Sequence, residues 1–317
     1  MSSIAYITDR DMIEYHRLHG NREMIFWRPS AQKHFQHFQI GDYLFFLTKG
    51  TEKGRTKEKG IIGYGRLAKD EVLRATQAWQ KYGTMCGYGN EKQFQTAATM
   101  MNKAHILPKQ IHCLYLERVL FFQAPIYLSE FAVQISKQIE SYIYLNQEKQ
   151  DLDLLLVEKA AQIGCDPWNS DKEQGDRQLM QDREVIKLQS LRRQLPQDMF
   201  THYEKKKLRQ LAQRELKDKN GSLLGYGKED YILWENEQSE VYLPCDLSLQ
   251  NWKRHLLILI AKAHLYQEAL RQIQSSAMVR ILFKGNDVDA QRLCDAAGIA
   301  YLCSEKYQET TKTARKR

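Results

Sequence analysis

Two short runs, GDYLFFLTKG (residues 41–50) and GIIGYGRL (residues 60–67), flank the stretch TEKGRTKEK and bring planar rings and cations close together in the chain. The chemistry open to such a set is a non-covalent grip on nucleic acid. A base stacked on an aromatic ring gains about 1–3 kcal/mol, which offsets the few kcal/mol needed to flip it out of a duplex. Lys49, Arg55, Lys57, Lys59 and Arg66 are the cations that would hold phosphates beside it. Such contacts position a strand without reading it. The elements required are simple: each run has strand composition and opens on glycine, and the charged linker reads as a solvated turn, so the spacing predicts a hairpin. Alternation puts Tyr43, Phe45 and Leu47 on one face and Leu44 and Phe46 on the other, so at least one set must be core.

The rest of the composition fits a polyanion partner. The 317-residue chain carries a formal charge of +8 with 43% hydrophobic residues, which suits a globular protein long enough for two cores. Basic residues cluster at 49–69, within Arg183 to Lys219, and in the closing TARKR. No apolar run reaches the roughly 20 residues of a membrane helix, and the acidic start MSSIAYITDRDMIEY is unlike a signal peptide. The expectation is a cytoplasmic protein with no membrane partner. Six cysteines form no CxxC pair, so they are expected reduced, and the spacing of His34 and His37 matches no zinc module. There is no GxSxG, no P-loop, no HExxH and no strand-linked GxGxxG.

Two halves differ in texture. Up to about residue 145 the sequence is β-rich: residues 4–8, 23–28, 42–47, 60–67, 112–122 and 142–145 read as strands, with helices over DRDMIEYHRL and EKQFQTAATMMNKA. Many short strands with a pair of helices argue for a small, partly open β-barrel. Proline, asparagine, glycine and charge fill residues 166–176, where the seam is placed. A helical stretch broken at Pro196 follows. The last hundred residues then read helix, three antiparallel strands (222–227, 231–235, 241–245), long helix, strand, helix, strand.

IFWRPS, GDYLFFLTKG, GIIGYGRL and AWQKYG, in that order, resemble a domain of the EVE type within the PUA-like superfamily, over roughly residues 1–150. The resemblance implies a barrel-like reader of nucleic acid that holds a modified or unpaired base in an aromatic pocket. Bacterial versions are often fused to nucleases in defence against phages. The matching positions are Trp27, Tyr43 or Phe46, Tyr64, and Trp79 or Tyr82. Trp79 and Tyr82 fall in a glycine-rich stretch that reads as a loop.

The order of elements in the second half resembles a PD-(D/E)XK restriction-endonuclease core. That resemblance implies an acid opening the second strand and an E-x-K on the third, binding Mg2+ and activating water. Asp230, Glu240 and Asp246 are the candidate acids, but Glu240 is followed by Val241 and Tyr242 with no lysine two positions on. A displaced lysine, Lys228, Lys253 or Lys262, would have to substitute. Pro244 suits an edge strand better than a central one.

The reading is therefore an α/β (α+β) chain. It has a PUA-like, partly open barrel with flanking helices over 1–165, a helical connector over 166–220 and a mixed-sheet nuclease-like domain over 221–317. Its expected function is nucleic-acid binding of an anti-phage restriction type, with DNA ahead of RNA and a degenerate second domain. The alternatives are an active, Mg2+-dependent endonuclease and an assembly subunit with a partner protein or a second copy. Outside the endonuclease reading, no cofactor is called for.

Overall fold

The computed structural model describes residues 2–29, 35–48, 58–133, 141–146, 151–168, 170–196, 200–216, 219–225, 229–235 and 238–304. It divides after Leu179 into two compact units. Among the described residues no helix is long and apolar enough to cross a membrane.

The first unit is built on β1 (Ile4–Ile7), β2 (Met24–Arg28), β3 (Tyr43–Leu47), β4 (Ile61–Leu73), β5 (Ile111–Ile126) and β6 (Tyr142–Tyr144). They form one mixed sheet in the order β2-β5-β4-β3-β1-β6, in which β1 runs parallel to β3. The expected hairpin is present: Tyr43 pairs with Arg66 and Phe45 with Tyr64. Its linker, residues 49–57, lies outside the described residues and takes Lys49, Arg55 and Lys57 with it. The sheet does not close. Among the described residues no ladder joins β2 to β6, yet Tyr6 on β1 and Phe26 on β2 meet with ring centroids 5.0 Å apart. The sheet thus curls far enough for side chains, not backbone, to span the gap.

Two features depart from the expected elements. β4 continues to Leu73 through the polar residues Lys69, Asp70 and Glu71, paired with the first half of β5. Trp79 and Tyr82 are not on a loop. They belong to α2 (Ala75–Tyr82), where ATQAWQKY has helix-forming residues and Gly83 ends it at φ 53°. The helices α1 (Arg10–Leu18), α3 (Glu91–Met101) and α4 (Leu152–Ile163) complete the unit. Asp9 caps α1 by accepting from the amides of Asp11 and Met12. The helix α5 (Lys172–Gln194) begins in this unit and ends in the next, so the unit boundary falls inside a helix.

The second unit continues with α6 (His202–Leu216), β7 (Gly221–Leu223), β8 (Tyr231–Glu235), β9 (Gln238–Asp246), α7 (Trp252–Gln272), β10 (Met278–Lys284), α8 (Val288–Ala297) and β11 (Ala300–Cys303). This is the order read from the sequence. The sheet runs β11-β10-β9-β8-β7, antiparallel among β7, β8 and β9 and parallel from β9 to β11. Asp287 caps α8 and Gly298 ends it at φ 66°, as expected. Pro244, by contrast, sits on a central strand. It lies beyond the last β8–β9 pair, Tyr231 with Tyr242, so no ladder with β8 is broken there.

Candidate functional site

Four of the six aromatics expected to form a base pocket are core. Tyr43, Phe46 and Tyr64 are fully buried and Trp27 is 3% exposed. Tyr43, Phe45 and Phe122 surround Tyr64 on one face of the sheet, while Phe46 packs on Phe121 on the other. Both faces of β3 are therefore covered, which alternation alone does not reveal. Trp27 donates its indole N–H to the Cys86 carbonyl at 3.0 Å and meets Phe94 edge-on. Trp79, half-buried, stacks on Phe94 at 5.7 Å. Tyr82 is half-buried and hydrogen-bonded to Glu71, and burial, with that hydrogen bond and the Glu71 charge, pushes the phenol up to about 12.

The same holds for one expected phosphate contact. Arg66 is 2% exposed, donates to the Gly41 carbonyl at 3.2 Å and pairs with Glu117 at 2.9 Å. Lys59 is half-buried.

A different aromatic group stays open to solvent where the curled sheet fails to close. Tyr6, Phe35, Tyr142 and Tyr144 are each half-buried. Tyr6 stacks on Tyr142 with centroids 5.8 Å apart and planes at 13°, and Phe35 meets Tyr142 at 5.0 Å. The Arg28 guanidinium lies 4.4 Å from the Phe35 ring centroid. It is held there from behind, since Nε donates to His112 Nδ1 at 2.9 Å. With Nδ1 accepting, the proton sits on His112 Nε2, which faces Asp70. Burial raises the Tyr6 phenol, and Arg28 offsets part of that rise. Arg28 is itself only 6% exposed, so it braces Phe35 from within, and the half-buried rings are what a flat ligand could stack on. The sequence signal was the alternation Tyr142-Ile143-Tyr144. Only the long-range pairing of β1 with β6 brings Tyr6 to it.

A separate cleft of about 800 Å3 opens beside α1 and α3, lined by Asp9, Tyr15, Tyr88, Lys92 and Met101 among others. It takes in none of the residues expected from the sequence to bind a base, hold phosphate or cleave.

In the second unit the three candidate acids are divided between the faces of the sheet. Tyr231 and Leu233 pack with Leu211, Ala212 and Leu216 of α6, so Asp230, one residue away, points to the opposite face. There it meets α7: Lys262 Nζ is 2.6 Å from Asp230 Oδ1, and the Tyr266 hydroxyl donates to Oδ2 at 2.7 Å. Glu229 completes the cluster, 2.9 Å from Arg192 and 3.3 Å from Lys262. Burial alone would raise Asp230, but Lys262 and Arg192 hold it below the usual carboxylate range. Burial, with Asp230 beside it, pushes the Tyr266 phenol well up. Glu240 and Asp246 lie an even number of residues from Tyr242 on β9 and so share the α6 face. Glu240 pairs with Arg280 at 3.3 Å, and Asp246 with Lys284 at 2.7 Å and with Ser248.

These residues do not fit a divalent metal. Both oxygens of Asp230 are engaged by Lys262 and Tyr266, and the other two acids lie across the sheet. Among the described residues no group of three or more His, Cys, Asp and Glu side chains is placed to hold a metal ion. Of the displaced lysines, Lys262 reaches Asp230, Lys253 stands exposed at the start of α7, and Lys228 lies outside the described residues.

No family model matches the chain, and no curated protein matches it. Solved structures of an ASCH protein from Zymomonas mobilis are similar in part. A tyrosine-to-phenylalanine variant matches at TM-score 0.34 and 12% identity, over 50% of this chain and 98% of that one. The unsubstituted ASCH protein matches at TM-score 0.34 and 11% identity, over 49% of this chain and 95% of that one. At these values the likeness assigns neither a family nor an activity to this chain.

Proposed function

We propose that this chain is a nucleic-acid-binding protein of an anti-phage restriction type that reads a modified or flipped DNA base with its first unit. The observation that carries the reading is the half-exposed set Tyr6, Phe35, Tyr142 and Tyr144 around an Arg28 held in place by His112. Stacking on Phe35 or Tyr142 would supply the sequence-tolerant part of the affinity. Arg28, 6% exposed, would act by fixing the Phe35 ring rather than by touching the ligand. The pocket anticipated at Trp27, Tyr43, Phe46 and Tyr64 is thereby moved to the open edge of the same sheet.

The second unit, in this reading, is a nuclease-like scaffold without a nuclease site. Supporting it are the element order from α6 to β11, the sheet order, and the sealing of Asp230 behind Lys262 and Tyr266. A bond-cleaving site needs its acids on one accessible surface, and these are divided.

The test is binding of the full chain to matched short duplexes, unmodified and carrying cytosine modifications, for wild type, Phe35→Ala and Tyr142→Ala. Tighter binding to one modified duplex, lost in either variant while the fold is retained, is the expected result. Equal binding to every duplex, untouched by both variants, would remove the base-reading claim. Cleavage of any of these duplexes on adding Mg2+ would overturn the inactive second unit.

A further inference from the structure

The second unit carries a basic, aromatic surface that the reading above does not use. It is organised by Glu204, at the third position of α6. The Glu204 carboxylate accepts from the Thr201 amide at 2.7 Å and hydroxyl at 2.9 Å, closing a capping box. It also accepts from Asn251 Nδ2 at 3.0 Å and faces His255 Nε2 at 3.1 Å. One carboxylate thus ties the start of α6 to the start of α7, and Phe200 packs edge-on against His255 beneath them.

On either side of this clasp stands a ring with a cation over it. Lys207 Nζ lies 4.6 Å from the centroid of Tyr203, which is 62% exposed. Lys253 Nζ lies 5.5 Å from the centroid of the half-buried Trp252. Lys206 and Arg254 are exposed, and Lys205 and Arg209 are half-buried. Across residues 200–209 and 251–255 the one acid is Glu204, which is already engaged by Thr201, Asn251 and His255. The surface is therefore strongly positive, with its internal carboxylate turned inward.

We propose that this surface binds the backbone of single-stranded nucleic acid, with Tyr203 as a stacking platform for an unpaired base. Cations alone would suit any polyanion. Rings that carry a cation on one side offer a base face and a phosphate contact within one step of each other, which a duplex with its bases stacked inside cannot use. Sequence is not read here.

The experiment is fluorescence anisotropy of the full chain with a labelled oligothymidylate of about 20 nucleotides and with a mixed-sequence duplex of equal length, between about 50 and 200 mM salt. Wild type is expected to prefer the single strand. The exposed triple variant Lys206→Gln, Lys253→Gln, Arg254→Gln is expected to weaken it roughly tenfold or more. It should also reduce the slope of log affinity against log salt by about 2. Tyr203→Ala is expected to weaken binding by roughly fivefold or more with the slope unchanged. All four positions are exposed, and circular dichroism verifies the fold. Unchanged affinity and slope in the triple variant would overturn the proposal. Equal binding of duplex and single strand, indifferent to Tyr203→Ala, would overturn its single-strand part. So would preferential binding to anionic lipid vesicles over the oligonucleotide. Phe35→Ala and Tyr142→Ala lie in the other unit, so failure of the base-reading claim and failure of this one are separately visible.

Discussion

Lys262 Nζ lies 2.6 Å from Asp230 Oδ1, with the lysine 2% exposed and the aspartate fully buried. Neither charge can find water if its partner is removed. Lys262→Met is therefore expected to cost about 3–5 kcal/mol of stability, the usual penalty for orphaning a buried ion. Lys262→Met combined with Asp230→Asn should recover a good part of it, because the uncompensated carboxylate is then gone. Urea unfolding of both singles and the double completes the cycle. A neutral Lys262→Met would mean that the pair is not sealed, and the inactive-scaffold reading would lose its main support.

Aromatic substitutions should sort by depth rather than by their place in the sequence motifs. Tyr64 is fully buried among Tyr43, Phe45 and Phe122, and Trp27 is buried on Phe94. Trp27→Ala and Tyr64→Ala are each expected to cost about 3–5 kcal/mol, the cost of emptying an aromatic site in a core. Phe35→Ala and Tyr142→Ala, at the half-exposed edge, are expected to cost clearly less while removing binding. Denaturation midpoints measured beside affinities give both numbers for each variant. A destabilised Phe35→Ala with intact binding would return the site to the interior.

That contrast marks what could be read from the chain and what could not. The β3–β4 hairpin was legible because glycine and alternating apolar residues bracket a charged linker. The second unit's order was legible because caps such as Asp287 and Gly298 punctuate it. The polar half of β4 was not, since Lys69, Asp70 and Glu71 extend a strand along β5 without burying an apolar face. The helix at Trp79 was hidden by the glycines that follow it. The proposed base-stacking surface was the hardest to see. Which face of a strand is covered depends on long-range pairing: Tyr6 meets Tyr142 only through the pairing of β1 with β6, and Phe35 reaches both from the segment between β2 and β3. Likewise, the T-x-x-E box at Thr201 and Glu204 is a local signal, but its link to His255 is not.

Gly63 tests the close approach within the hairpin sheet. A Cβ there would stand 2.4 Å from the Leu120 carbonyl oxygen and 3.0 Å from the Phe121 Cα, both backbone atoms beside a register shift between β4 and β5. Backbone cannot swing aside as a side chain can, so Gly63→Ala should force the strands apart and cost about 1–3 kcal/mol. Gly83→Ala meets no neighbour but must hold φ 53°, and is expected to cost less, about 1 kcal/mol. Reversal of that order in thermal unfolding would contradict the close approach of β4 and β5 at Gly63.

The clasp at Glu204 carries a pH signature whose sign is fixed. Burial would raise this carboxyl, but hydrogen bonds from Asn251 and Thr201 and the nearby His255 bring it down to about 2. An unfolded glutamate titrates near 4.3, so in the window between these values the folded chain binds fewer protons. The resulting stabilisation is complete above about pH 5 and is lost as pH falls toward 2. His255 acts in a higher window. Burial lowers it from 6.5, with Glu204 opposing and Arg254 assisting, so its contribution is lost as pH falls below about 6.5. Glu204→Gln is expected to destabilise the chain at pH 7 and to be nearer to wild type at pH 3. The gap between their denaturation midpoints should narrow mainly between pH 5 and 3, and a gap independent of pH would show that the carboxylate is not held in its charged form by the two helices.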